Sequence, residues 1–135
     1  MNFTYPKKER LRSKILIDKI FEIGQKQYNS NLKIIWLAHI LPEKVPVQSL
    51  VSVSKRRFKR ANKRNLLKRR LREAFRKNKN DFYKSIENAG IQIALVIIYN
   101  SDSLSDFKSI EQNLLSAFEN IKNKISAGKY PMEVL

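Results

Sequence analysis

The stretch Val51–Arg76, VSVSKRRFKRANKRNLLKRRLREAFR, decides how the chain is read. It opens as a short Val/Ser-rich strand and passes through a basic loop into a run with helical spacing. At about 100° per residue, Leu67, Leu71, Ala74, Phe75 and Asn78 fall along one stripe. The opposite stripe carries Asn65, Arg69, Arg72 and Arg76, with Lys68 on its flank. The segment is therefore an amphipathic helix, one face made for a core and the other strongly cationic. From Lys55 to Lys79 there are fourteen basic residues and one acid, Glu73, a net of +13 out of +16 for the 135-residue chain. An excess so concentrated repels itself and points to a partner with many phosphates. The interleaved Leu66, Leu67, Leu71, Ala74 and Phe75 argue against a disordered basic tail. A membrane-surface helix is the weaker alternative, because such helices turn a wider, more aromatic face to lipid and this one has a single Phe.

On the N-terminal side, Gln48–Ser54 is a strand, and Leu32–Leu41 is another, ended by Pro42. Leu32, Ile34, Trp36, Ala38 and Ile40 share one face of it; Lys33, Ile35, Leu37, His39 and Leu41 share the other. A hairpin through the loop at 43–47 is the shortest connection between the two strands. Ser13 can cap a helix over Lys14–Ile23, stopped at Gly24, and residues 1–12 form a basic arm. Beyond the basic helix, Asn80 can cap a short helix over Asp81–Asn88, closed by Ala89-Gly90. IQIALVIIY at 91–99 reads as a central strand buried on both faces, which makes the segment from the second strand to Ile91 a β-α-β unit. Ser103 and Asp106 have capping-box spacing for a last helix. Its Phe107, Ile110, Leu114, Phe118, Ile121 and Ile125 recur at helical spacing until Gly128. The order α-β-β-α-(α)-β-α describes an α+β fold, a two-layer αβ sandwich in which helices pack on a small mixed sheet. Residues 1–128 are expected to form one domain, followed by a tail at 129–135.

Composition narrows the chemistry. With no Cys, disulfides, thiolate catalysis and cysteine-ligated zinc are excluded. His39 lies mid-strand with no nearby Ser or carboxylate, and Asp102 and Asp106 are better read as helix-start residues. Gly24, Gly90 and Gly128 stand singly at element ends, so no phosphate-cradling loop exists. Neither a catalytic constellation nor a metal site is expected. No apolar run approaches the roughly 20 residues needed to cross a bilayer, and the expected compartment is the cytoplasm. Phe3, Tyr5, Phe21, Tyr28, Trp36 and Phe58 lie near basic residues and could stack on bases, although each alone is more often a core residue. Trp36 is the one most worth testing, since an aromatic on a sheet face makes a single-strand platform.

Residues 51–76 also resemble the signature of the bacterial ribonuclease P protein subunit. That family has a strand ending in Ser-Val-Ser-Lys, a short basic loop, and a helix bearing Arg-Asn-Arg followed by Ile-Lys-Arg. The matching run here is Arg64-Asn65-Leu66-Leu67-Lys68-Arg69, with Leu66 in place of the third residue of the triplet and Leu50 where the family often has Gly. KKERLRSKILIDKIFEIG at 7–24 is similar to the family's opening helix, and IALVIIY at 93–99 with the closing helix to its last third. The resemblance spans roughly Lys8 to Lys124.

The resemblance implies a sandwich like domain 2 of ribosomal protein S5, with a left-handed β-α-β crossover around the basic helix. It further implies one part of a ribonucleoprotein that removes the 5′ leader of precursor tRNA, with hydrolysis carried by the RNA subunit and its Mg²⁺. Lys55, Arg56, Arg60, Arg64, Asn65, Lys68, Arg69, Arg72 and Arg76 would dock on the RNA subunit. Arginine forks suit phosphates, and Asn65 suits a base or ribose edge. Lys14, Ile17, Phe21, Lys33, Ile34 and Trp36 would line a cleft for the single-stranded leader. Two other readings compete. A non-enzymatic module for structured RNA explains the charge equally well, whereas a protein-only nuclease is opposed by the lack of clustered carboxylates.

Overall fold

A strand that is apolar on both faces needs neighbours on both edges and cover on both sides. Ile93–Tyr99 (β4) obtains all of these. In the computed structural model, which describes residues 5–128, 130 and 132–133, β4 lies between β2 (Leu32–His39) and β3 (Val47–Val53). It runs antiparallel to β2, with Ile35 opposite Val96, and parallel to β3, with Val51 opposite Ile97. The expected β2–β3 hairpin is thus replaced by an inserted central strand. The hairpin that does form joins β2 to β1 (Gln25–Asn29) through a turn at Ser30, whose φ of 54° is left-handed. Met132–Glu133 (β5) pairs with β2 beside Ala38 and His39, so the segment expected as a tail supplies a short fifth strand.

The sheet separates two cores. Even-numbered residues of β2, among them Ile34 and Trp36, join Val51, Leu95 and Ile97 under α2 (Ala61–Asn88) and α3 (Phe107–Ser126). Phe82 stacks on Phe118 at 4.2 Å, and Phe75 meets Phe118 edge-on at 5.7 Å. On the reverse face, Ile35, Leu37, Ala94 and Val96 pack beneath Leu16 and Ile20 of α1 (Lys14–Ile23). Helices packed on a small mixed sheet give the α+β sandwich expected from the sequence.

Several boundaries differ for local reasons. α2 runs unbroken past Asn80, because Phe82, Tyr83 and Ile86 continue the apolar stripe of Leu67, Leu71 and Phe75. Asn80 is therefore interior and not a cap. The helix ends before Gly90, whose φ of +72° suits glycine. Asp106 alone caps α3, accepting from the Ser109 N–H at 2.9 Å, while the Ser103 carbonyl accepts from the Tyr99 hydroxyl. β2 stops at His39 because Gln92 gathers the following loop: its Oε1 accepts from the Leu41 N–H, and its Nε2 donates to the Glu43 and Val45 carbonyls.

From Tyr5 onward the basic arm packs against the domain. A single 3₁₀ turn (Lys7–Glu9) leads into a bridge between Arg10 and Ser49 of β3, and Leu11 is 2% exposed. The Leu11 N–H donates to the Ser49 carbonyl at 2.8 Å. Residues 1–4 of the expected arm lie outside the described residues.

Gly24 ends α1 at a close approach. A Cβ there would overlap the Ile20 carbonyl oxygen and lie 2.7 Å from Ile35 Cγ2. Gly24→Ala is expected to destabilise the protein by about 1–3 kcal/mol, the usual range for overpacking, measured as a shift in the urea midpoint.

Candidate nucleic-acid interface

The buried stripe of α2 fixes where its charges point. Asn65, Arg69 and Arg72 are exposed on the face turned away from the core, and Arg76 lies half-buried beside them. Lys55, Arg56 and Arg60 are exposed in the loop before the helix, with Lys68 half-buried on its flank. Arg76 grips Glu73 with its Nε and Nη2 on the two carboxylate oxygens. Those hydrogen bonds hold the Glu73 carboxyl below the usual range, so it stays ionised inside the cationic face.

Further basic residues have partners within the protein. Arg64 Nη1 donates to the Phe58 carbonyl at 2.8 Å and the Lys59 carbonyl at 2.9 Å, clamping the loop that precedes the helix. Its helical angle puts it in line with Leu71 and Phe75 of the buried stripe, so Arg64, expected on the docking face, is turned away from Asn65 and Arg69. Arg57 pairs with Asp102 at 3.0 Å, and Arg70 Nη1 donates to the Ser105 carbonyl, tying the basic segment to the loop before α3.

Lys79 is also used internally, and it is 2% exposed. Its ammonium donates to Glu9 Oε1 at 2.7 Å, and the Tyr83 hydroxyl donates to the same oxygen. Burial, then the hydrogen bond to Glu9, push the Tyr83 hydroxyl far above its ordinary value, so it remains a donor. Breaking a buried pair of this kind by removing one partner typically costs about 3–5 kcal/mol. At about 100° per residue Lys79 lies within about 20° of exposed Arg72. Its burial therefore comes from Glu9 of the arm packing over it and could not have been read from the period alone.

The arm completes this face. Tyr5 and Arg10 close a surface cleft against Asn65, Arg69, Arg72 and Arg76 of α2. The Arg10 guanidinium sits 5.5 Å from the Tyr5 ring centre, and the Tyr5 hydroxyl donates to the Ser49 carbonyl at 2.9 Å. Tyr5 is among the aromatics that could stack on bases and Arg10 belongs to the basic arm, but nothing in the sequence spacing brings either of them onto α2.

The second expected surface needs correction. Ile34 and Trp36 point into the α2–α3 core, 1% and 0% exposed, on the opposite side of the sheet from α1. They cannot wall a cleft between α1 and the sheet. Lys33 does project toward the α1 side, as does its cross-strand partner Tyr28, whose ring centre lies 5.7 Å from the Lys33 ammonium. Lys14, Ile17 and Phe21 fall on one flank of α1, with Ile17 packed against the core of that same side. Phe21 is 45% and Tyr28 62% exposed, so aromatic surface is available where Trp36 offers none.

Among the described residues, no group of three or more His, Asp or Glu side chains converges as a metal site would require. No described helix is long and apolar enough to cross a membrane. A sheet-backed helix with one face sealed in the core and the other lined by arginines defines a polyanion-binding α+β protein. Comparison with known proteins agrees. The ribonuclease P family model matches residues 5–122. The chain is 31% identical over 133 residues to the ribonuclease P protein component of Porphyromonas gingivalis, covering 98% of this chain and 93% of that one. It is 31% identical over 122 residues to the component from Petrotoga mobilis, covering 90% and 89%. The solved RNase P protein of Thermotoga maritima superposes with a TM-score of 0.63 at 22% identity, over 83% of this chain and 96% of that one. A Staphylococcus aureus RNase P protein mutant with defective mRNA degradation activity gives 0.67 at 18% identity, over 86% and 90%. The chain belongs to the ribonuclease P protein family.

Proposed function

We propose that this chain binds the catalytic RNA of a ribonuclease P ribonucleoprotein and the 5′ leader of precursor tRNA, promoting endonucleolytic removal of the leader. The observation that carries this reading is the exposed row Asn65, Arg69 and Arg72, with Arg76 beside it, on a helix anchored by Leu67, Leu71 and Phe75. A rigid helix presents these groups without a large ordering cost on binding. Phosphodiester hydrolysis belongs, in this reading, to the RNA subunit with Mg²⁺ held by RNA and substrate, in the cytoplasm. No membrane or small-molecule substrate is involved. Arg64 enters as the clamp that shapes the loop bearing Lys55, Arg56 and Arg60. Reconstitution with a ribonuclease P RNA is the test: added protein should accelerate leader removal at low Mg²⁺. Binding to the RNA without any gain in cleavage would favour a non-enzymatic RNA-binding module.

The leader path we infer runs over the α1 side of the sheet, past Lys14, Ile17 and Phe21 and across Lys33 and Tyr28. Exposed rings beside cations suit stacked bases and their phosphates. Phe21→Ala and Tyr28→Ala should each weaken precursor tRNA binding by about 5- to 150-fold, from a stacking contribution of about 1–3 kcal/mol per base. Affinity for mature tRNA and the melting temperature should barely move. Equal losses for both tRNA forms would remove the leader from this face.

A further inference from the structure

We propose that the arm from Lys7 to Arg12 is a second docking surface for the RNA subunit, continuous with α2, and that buried Glu9 is its positioning residue. The proposal rests on the reading of α2 as the RNA-docking face. The arm alternates: Glu9 and Leu11 are buried, whereas Lys8, Arg10 and Arg12 are exposed, with Lys7 exposed beside them. Four cations therefore face water from a backbone fixed to β3 by the Leu11–Ser49 and Lys8–Gln48 hydrogen bonds. Lys7, Lys8, Arg10 and Arg12 line one concavity, and Arg10 also lines the cleft it shares with Arg69, Arg72 and Arg76. Arg10 thus joins two cationic patches into one band.

Glu9 explains why the band has a fixed shape. Its carboxylate accepts from both Lys79 and Tyr83, buried positions about one turn apart on α2, so the arm is held in one register against the docking helix. The acid is spent on a buried cation and does not offset the exposed charge. Four outward cations at fixed positions fit the phosphates of a folded RNA better than a flexible peptide or a bare membrane surface. Contiguity with α2 commits the surface to the same molecule that α2 binds.

The experiment uses the full chain, a transcribed ribonuclease P RNA and a KCl series. In the variant K7A/K8A/R10A/R12A, the slope of log K against log[KCl] should flatten by about 0.7–0.9 for each phosphate no longer neutralised, with melting temperature unchanged. The exposed variant R69A/R72A/R76A serves as reference. If it flattens the slope and the arm variant does not, the arm proposal fails while the α2 reading stands. If neither flattens it, the α2 reading itself falls. A loss by the arm variant confined to precursor tRNA binding by the assembled holoenzyme would assign the arm to substrate and also overturn the proposal. For Glu9, the paired variant E9Q/K79M leaves no buried charge unmatched. It should flatten the slope as the arm variant does, and adding it to the arm variant should flatten the slope no further. An unchanged slope in folded E9Q/K79M, or full additivity, overturns the positioning role. Should that pair not fold, Tyr83→Phe removes one Glu9 donor without changing charge. Faster hydrogen exchange at the Leu11 amide in it, together with a flatter slope, is then the expected result; the absence of both changes overturns the role.

Discussion

Trp36→Ala is expected to cost about 3–5 kcal/mol of stability, the usual range for truncating a buried aromatic. The side chain is 0% exposed in the core beneath α2 and α3, with the Tyr130 ring centre 6.0 Å away. A domain whose whole stability is about 5–15 kcal/mol is brought close to unfolding by such a loss. Precursor and mature tRNA binding should then decline together, in proportion to the fraction of folded protein. Trp36→Phe provides the contrast. Among the described residues the buried indole Nε1 has no acceptor, a burden of about 1–3 kcal/mol that phenylalanine removes while keeping most of the ring packing. Its urea midpoint should therefore fall by less than half as much as that of Trp36→Ala. A folded Trp36→Ala protein with an unchanged midpoint, impaired only toward leader-bearing tRNA, would overturn the burial of Trp36.

The misplacement of Trp36 marks where sequence reading stops. The alternation of β2 was legible, but both of its faces are apolar, so alternation alone could not say which face α1 covers. Only the register settles it: Ile35 and Leu37 lie beneath Leu16 and Ile20 of α1. The central position of β4 was legible from its two apolar faces, yet its insertion between β2 and β3 conflicted with the local preference for a hairpin. β1 was invisible because QKQYN has no apolar alternation. Its inward residues include Gln27 and Asn29, which reach α3 by hydrogen bonds to the Ala117 carbonyl and the Ser116 hydroxyl. On the candidate interface, the stripe of α2 was read correctly because periodicity fixes a helix face. The private uses of Arg57, Arg64 and Arg70 were not legible, since each depends on a loop carbonyl or carboxylate that the fold brings close.

That division between private and public arginines makes the second large effect predictable. The variant R69A/R72A/R76A should keep its fold, because none of the three is buried and the Arg76–Glu73 pair is an exposed ion pair of small worth. Thinning a concentrated positive field should if anything raise the melting temperature slightly. Each neutralised phosphate contributes about 0.7–0.9 to the salt slope, equivalent to about 5- to 8-fold in affinity at 0.1 M salt. If all three arginines reach phosphates, affinity for the RNA subunit should fall by about 100- to 500-fold at that salt concentration, and the slope should flatten by about 2–3. Arg64→Ala should behave oppositely despite removing the same kind of charge. Freeing the Phe58 and Lys59 carbonyls loosens the loop, so melting temperature should drop while the salt slope changes by less than the value of a single phosphate. Salt titrations and melting curves on the two variants resolve the matter. Loss of slope in Arg64→Ala as large as in the triple variant would mean that the clamp opens on RNA and that Arg64 exchanges its carbonyls for phosphate.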